Sequence, residues 1–205
     1  MTNPIDNFVN DLTPVRVVKP IYIRLIRWLV VALLTIGVFL AVFGFRGDIS
    51  YQLSKSSFLI DSLLIFLIIF ASGYCILLLS IPGRYKSIFG PLIGCLCLLI
   101  IMLWALSINA PLIYFEPTYT CALKITAIAT IPIVFFIWEL RQIHVLSIRF
   151  IGLFVGLSGA CVGLFVLLNH CHISDYMHVF LWHIVPVGLI AVLVSLIATR
   201  LFKSL

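Results

Sequence analysis

The chain has 205 residues, 63% of them hydrophobic and only 10% charged, with a mean hydropathy of +1.27, where a water-soluble domain carries about 45–50% apolar and about 25% charged residues. Six crossings of about 20 residues each would take most of the chain, which excludes a separate soluble catalytic or nucleotide-binding domain. The apolar runs are continuous, not alternating over about ten residues, which excludes a membrane β-barrel, and the expected class is an all-α integral membrane protein.

The first element is a cytoplasmic leader, residues 1–27, ahead of a transmembrane domain, residues 28–205. The leader is expected to stay attached, because the apolar run after it is long and lacks a small-residue cleavage pattern. Within it Ile5, Phe8, Val9 and Leu12 follow i, i+3, i+4 and i+7, while Asp6, Asn7, Asn10 and Asp11 take the other face and Pro14 ends the pattern. So short a helix does not hold alone in water. Membrane-surface helices usually carry Lys or Arg on the polar face, so the apolar residues together with Asp6 and Asp11 are predicted to bind a protein groove with a basic rim.

Six apolar runs follow: Trp28 to Phe45, Phe58 to Ile81, Phe89 to Ala110, Cys121 to Trp138, Phe150 to Leu168 and Val179 to Phe202. Of the 13 Lys and Arg, ten fall on one side: Arg16, Lys19, Arg24, Arg27, Arg84, Lys86, Arg141, Arg149, Arg200 and Lys203. Only Arg46, Lys55 and Lys124 fall on the other. Positive charge stays cytoplasmic, so a six-helix bundle with both termini inside is predicted. The net charge of +6 is then a topology signal that needs no nucleic-acid partner. The fifth run spaces Gly152, Gly156, Gly159 and Gly163 by four, three and four, a stripe read as helix packing.

The outer side concentrates soft and titratable groups. Cys75, Cys95, Cys97 and Cys161 lie inside runs and read as small buried hydrophobes, but Cys121 opens the fourth run and Cys171 lies in the last outer connection. Four of the five histidines, His170, His172, His178 and His183, crowd the same stretch with Asp175. Imidazole, thiolate and carboxylate are ligands of Zn²⁺, Cu⁺ and other thiophilic ions, and a thiol pair in an oxidising compartment can instead form a disulfide. On a helix Asp175 shares a face with His178 and is expected to orient its ring. His178 and His183 stand about 140° apart on a regular helix, so one ion on both requires an irregular turn, which Pro186 makes reasonable. Asp61 and Lys124, ionisable at membrane depth, are further candidates.

The sequence resembles the NrsF family of six-helix bacterial membrane regulators over nearly its whole length. The landmarks are Leu12-Thr13-Pro14-Val15-Arg16 with Pro20, then Trp28, Pro82-Gly83-Arg84, Cys121, and Cys171 followed by Asp175, His178, Trp182 and His183. The resemblance implies an anti-sigma factor of the inner membrane. Its leader would sequester an extracytoplasmic-function sigma factor and release it on metal or oxidative stress sensed by Cys121 and Cys171. The leader is less basic than the family's pattern, and Tyr119-Thr120 stand before Cys121 in place of small residues.

Two other functions compete. A membrane zinc hydrolase needs ligands from separate helices, yet apart from His144 the histidines share one segment. A transporter of small solutes or metal ions usually shows related halves or broken helices, for which only Pro132 and Pro186 offer a hint. The chain is therefore expected not to be an enzyme, with the lipid bilayer and the sigma factor as its partners.

Overall fold

The computed structural model describes residues 19–81, 94, 119–141, 148–173 and 175–201. The leader helix expected at residues 4–12 and the third run, except Gly94, lie outside the described residues. Among these residues all regular structure is helical: α1 (Ile21–Phe43), α2 (Ile49–Leu53), α3 (Ser56–Leu79), α4 (Tyr119–Leu140), α5 (Ile148–His170), α6 (Tyr176–Val179), a π-helical turn (Phe180–Ile184) and α7 (Val185–Leu201). Five stretches of the described residues are long and apolar enough to cross a membrane: α1, α3, α4, α5 and Met177–Arg200. The protein is an all-α multi-span bundle.

The first span starts at Ile21, ahead of the expected Trp28, because the helix takes in Arg24 and Arg27. Charged groups can enter an apolar helix when they are paired, and both pair with Glu139. Pro20 precedes the helix with its φ of −52°, suited to the start of a helix that needs no donor there. Gly44 ends it at φ +79°, its N–H on Leu40 O at 2.9 Å, a conformation open to glycine.

α5 is the axis of the bundle: 78% of its apolar window is buried, against 22% for the last span. The glycine stripe explains how. A methyl group at Gly152 or Gly156 would stand 2.6 Å from Ala198 Cβ or Ala191 Cα of α7. One at Gly159 or Gly163 would meet Ala129 O or Ile125 O of α4 at 3.0 and 2.8 Å. Without side chains there, the backbones of α7 and α4 close on α5, the contact that drives helix association in lipid. On the other side Trp28, fully buried, sits between Gly73 of α3 and Phe136 of α4, its ring 4.4 Å from the latter.

Large apolar side chains point outward from α1 (Leu34, Val38), α4 (Leu123, Val134) and α7 (Leu193, Leu196), as a bundle surrounded by hydrocarbon requires. α4 runs through Pro132 without a break.

Candidate metal centre

The sequence separates Cys121 and Cys171 by fifty residues, and the fold brings them together. Cys121 lies in the first turn of α4. Cys171 follows the end of α5 and continues its hydrogen bonding, its N–H on Leu167 O at 2.8 Å. Since Gly163 lets α4 approach at Ile125, one turn below Cys121, the two sulfurs stand 3.9 Å apart, both buried, with the thiols free.

The sixth span completes the group. His178 Nε2 is 3.5 Å from Cys171 Sγ, and the His178 and His183 rings are 5.1 Å apart, edge to face. One donor atom from each of Cys121, Cys171, His178 and His183 lies within 4.8 Å of every other, and all four residues are buried. A tetrahedral zinc ion with ordinary Zn–S and Zn–N bonds would space its sulfurs by roughly 3.8 Å and a sulfur from a nitrogen by roughly 3.6 Å, close to the 3.9 and 3.5 Å found. His183 Nε2 is buried without a hydrogen-bond partner, an arrangement that buried polar atoms avoid and that a bound cation would relieve. The donor set therefore fits a thiophilic ion. The Cys171 thiol is held below the ordinary range by its hydrogen bond with Cys121 and, more weakly, by His183, against the opposing pull of burial.

The remaining candidates stand elsewhere. Both nitrogens of His170 are engaged: Lys124 Nζ is 2.8 Å from Nε2, and Nδ1 is 3.0 Å from Gly44 O. An ammonium only donates, so Nε2 accepts and Nδ1 carries the proton to the carbonyl, leaving His170 no lone pair for a metal. His172 is exposed. Asp175 caps α6, its Oδ2 accepting the backbone N–H of His178 at 3.2 Å, so it positions His178 through the backbone and does not orient its ring. Asp61 is half-buried in α3.

Sequence reasoning overlooks two supports of this architecture. Arg46 N–H bonds Asn169 O at 2.9 Å, and its guanidinium grips Asp48 (2.6 and 3.1 Å) while reaching His172 O at 3.4 Å. The first connection thus holds the loop that carries Cys171. At the far end of the bundle Arg24, 2% exposed, bonds Glu139 at 3.1 Å and Ser80 Oγ at 2.8 Å. Arg27 takes the other Glu139 oxygen at 3.1 Å and lies over the Trp138 ring. The available signal is a single carboxylate one residue past the fourth apolar run, with arginines at the head of the first.

A family model described as NrsF, negative regulator of sigma F, matches residues 8–203. No curated protein and no solved structure matches the chain. The match takes in the five apolar spans and all four clustered side chains. The chain belongs to the NrsF family of negative regulators of sigma F: it is a multi-pass inner-membrane regulator with an anti-sigma role, not an enzyme, and carries a Cys₂His₂ cluster able to hold a thiophilic metal ion.

Proposed function

We propose that this regulator crosses the membrane six times with both termini in the cytoplasm. On that reading its leader, residues 1–27, sequesters an extracytoplasmic-function sigma factor through Ile5, Phe8, Val9 and Leu12 with Asp6 and Asp11 at the rim. The cluster of Cys121, Cys171, His178 and His183 then faces the periplasm and responds to metal or oxidant. The distribution of Lys and Arg supports the orientation. The observation that carries the sensory role is the convergence of two buried thiols and two buried imidazoles from three separate segments, at the end away from Arg24 and Glu139.

Two chemistries are open to this set. A thiophilic cation would be held by the two sulfurs, as thiolates, and two ring nitrogens, with the thiol protons released. Alternatively the two thiols give up two electrons and two protons to a peroxide, which leaves as water, and an S–S bond forms. Either change replaces contacts among α4, the end of α5 and the sixth span, and only such a difference between states can shift a conformational equilibrium. Four protein ligands leave no open position for an activated water, which disfavours the hydrolase, and α4 runs unbroken through Pro132, which leaves the transporter only the irregular turn before Pro186.

The test is a reporter of the cognate sigma factor. Deleting residues 1–20 is expected to free transcription without stress, and unchanged transcription would remove the leader from the reading. Cys121→Ser with Cys171→Ser is expected to abolish the response to Cd²⁺ and to peroxide, and a full response in that double variant would remove the cysteine sensor.

A further inference from the structure

The sixth span changes its winding beside the cluster. One α turn, Tyr176–Val179, gives way to the π turn Phe180–Ile184, and the Val185 N–H reaches back five residues to Phe180 O. π turns are rare and concentrate at functional sites. Here the consequence is local: the wider turn brings position i+5 round to where i+4 stands in an α-helix, so His178 and His183 meet. A regular α-helix would leave them about 140° apart.

Two features decide where this stretch can give. Pro186 has no N–H for the Trp182 carbonyl, and its ring would press on that carbonyl in an unbroken α-helix, which favours the widened turn just before it. Downstream, α7 is locked against α5, since Ala191, Ser195 and Ala198 lie almost in contact with the backbone at Gly152 and Gly156. Rotation of α7 would drive bulky lipid-facing residues such as Leu193 and Leu196 toward those glycines. α6 has no such anchor: it is a single turn entered from a loop. A change of register is therefore taken up by α6 and His178, while His183 stays.

We propose that the π turn is a register switch held by one tetrahedral d¹⁰ cation bound to Cys121, Cys171, His178 and His183. With the cation in place the extra residue is kept within Phe180–Ile184. Without it the stretch returns to α winding, and α6 turns His178 away from Cys171 by about 100°, one residue of helical rotation. The proposal rests on the sensor reading above and adds the part that moves. It also supplies the route outward: α6 follows the loop held by Arg46, whose own segment leads back to α1. The cation gains an imidazole in one register that it lacks in the other, and that differential affinity drives the shift.

The experiment uses the full chain in lipid nanodiscs, with Co²⁺ as the spectroscopic probe and Zn²⁺ as competitor. Wild type is expected to give thiolate charge-transfer bands with Co²⁺, and its backbone amide exchange over residues 176–186 is expected to rise several-fold when a chelator strips the metal. Deletion of the exposed Leu181 makes the two histidines four apart, on one face of a regular helix. That variant is expected to keep the Co²⁺ bands and lose the metal dependence of exchange. Pro186→Ala restores the N–H and favours the α register. If the ratio of α to π register in the metal-free protein rises tenfold, the binding-competent fraction and with it the apparent affinity for Co²⁺ fall about tenfold.

Undiminished Co²⁺ affinity in Pro186→Ala, or wild-type exchange indifferent to the chelator, overturns the switch and leaves the sensor reading standing. Absence of thiolate bands in wild type overturns the switch together with the metal chemistry of the sensor reading, and leaves only its disulfide chemistry. Should the Leu181 deletion fail to fold, the wild-type exchange and the proline variant still decide the matter.

Discussion

His170 and His183 each lie close to a cysteine of the centre, and what separates them is what their nitrogens already hold. Lys124 and Gly44 O occupy both sides of His170, whereas His183 Nε2 is buried without a partner. His183→Ala is accordingly expected to weaken Zn²⁺ or Co²⁺ binding by more than the 10–100-fold typical of groups behind a ligand, while His172→Ala, at an exposed position, leaves it unchanged. Competition titration of the two variants checks this. Asp48 acts on the same region electrostatically: hydrogen bonds from Arg46, then Gln52, hold its carboxyl down at about 2, below the ordinary 3.8. A depressed carboxylate contributes stability above its unfolded value and loses it as pH falls through the folded one. The stability difference between wild type and Asp48→Asn is therefore expected to be full at about pH 5, to be mostly lost by about pH 2 and to vanish below it, as followed by thermal melts in detergent.

Among the elements, the contact between α4 and α5 sets the sulfur separation. Gly163 faces Ile125 O at 2.8 Å for a built methyl group, and overpacking a close contact costs about 1–3 kcal/mol. Gly163→Val is expected to lower stability by an amount in that range and to hold α4 off α5. Peroxide-driven disulfide formation between Cys121 and Cys171 should then slow relative to wild type, read by thiol alkylation over time. A substitution at Gly37, where nothing lies within 4 Å, serves as the control. Helix α4 also spans the length of the bundle: from Cys121 to Glu139 it covers about 27 Å at 1.5 Å per residue, so one element carries both the cysteine at one end and the carboxylate at the other.

For the molecule as a whole, the ion-paired end matters because three helices meet there. Arg24 of α1, Ser80 after α3 and Glu139 of α4 form one buried network that Arg27 closes. Removing one partner of a buried pair costs about 3–5 kcal/mol because the other is left uncompensated, whereas replacing both by well-packed apolar groups is often neutral. Glu139→Ala is expected to destabilise the bundle by that order, and Arg24→Met combined with Glu139→Leu to recover most of it, as measured by denaturant titration in mixed micelles. If the ion-paired end couples α4 to the leader, the double variant would restore stability while leaving the sigma reporter unresponsive to metal.

The sequence by itself determined what depends on composition and local pattern. Apolar run length marked the spans, their enclosing charges gave an expected orientation, glycine spacing marked α5 as a packing helix, and the crowding of His170 to His183 with Cys171 marked the region of the centre. It could not sort that crowd, because which histidine turns inward depends on winding and on neighbours far along the chain. His170 is withdrawn by Lys124 of another helix, Asp175 is used up as a cap, and His183 is delivered by a π turn whose only local hint is Pro186. The Arg46 and Arg24 networks were equally out of reach, since each joins residues whose proximity exists only once the helices have packed. Tertiary structure decided these points because a ligand set or a buried ion pair is a matter of distance between atoms, and the fold alone supplies that distance.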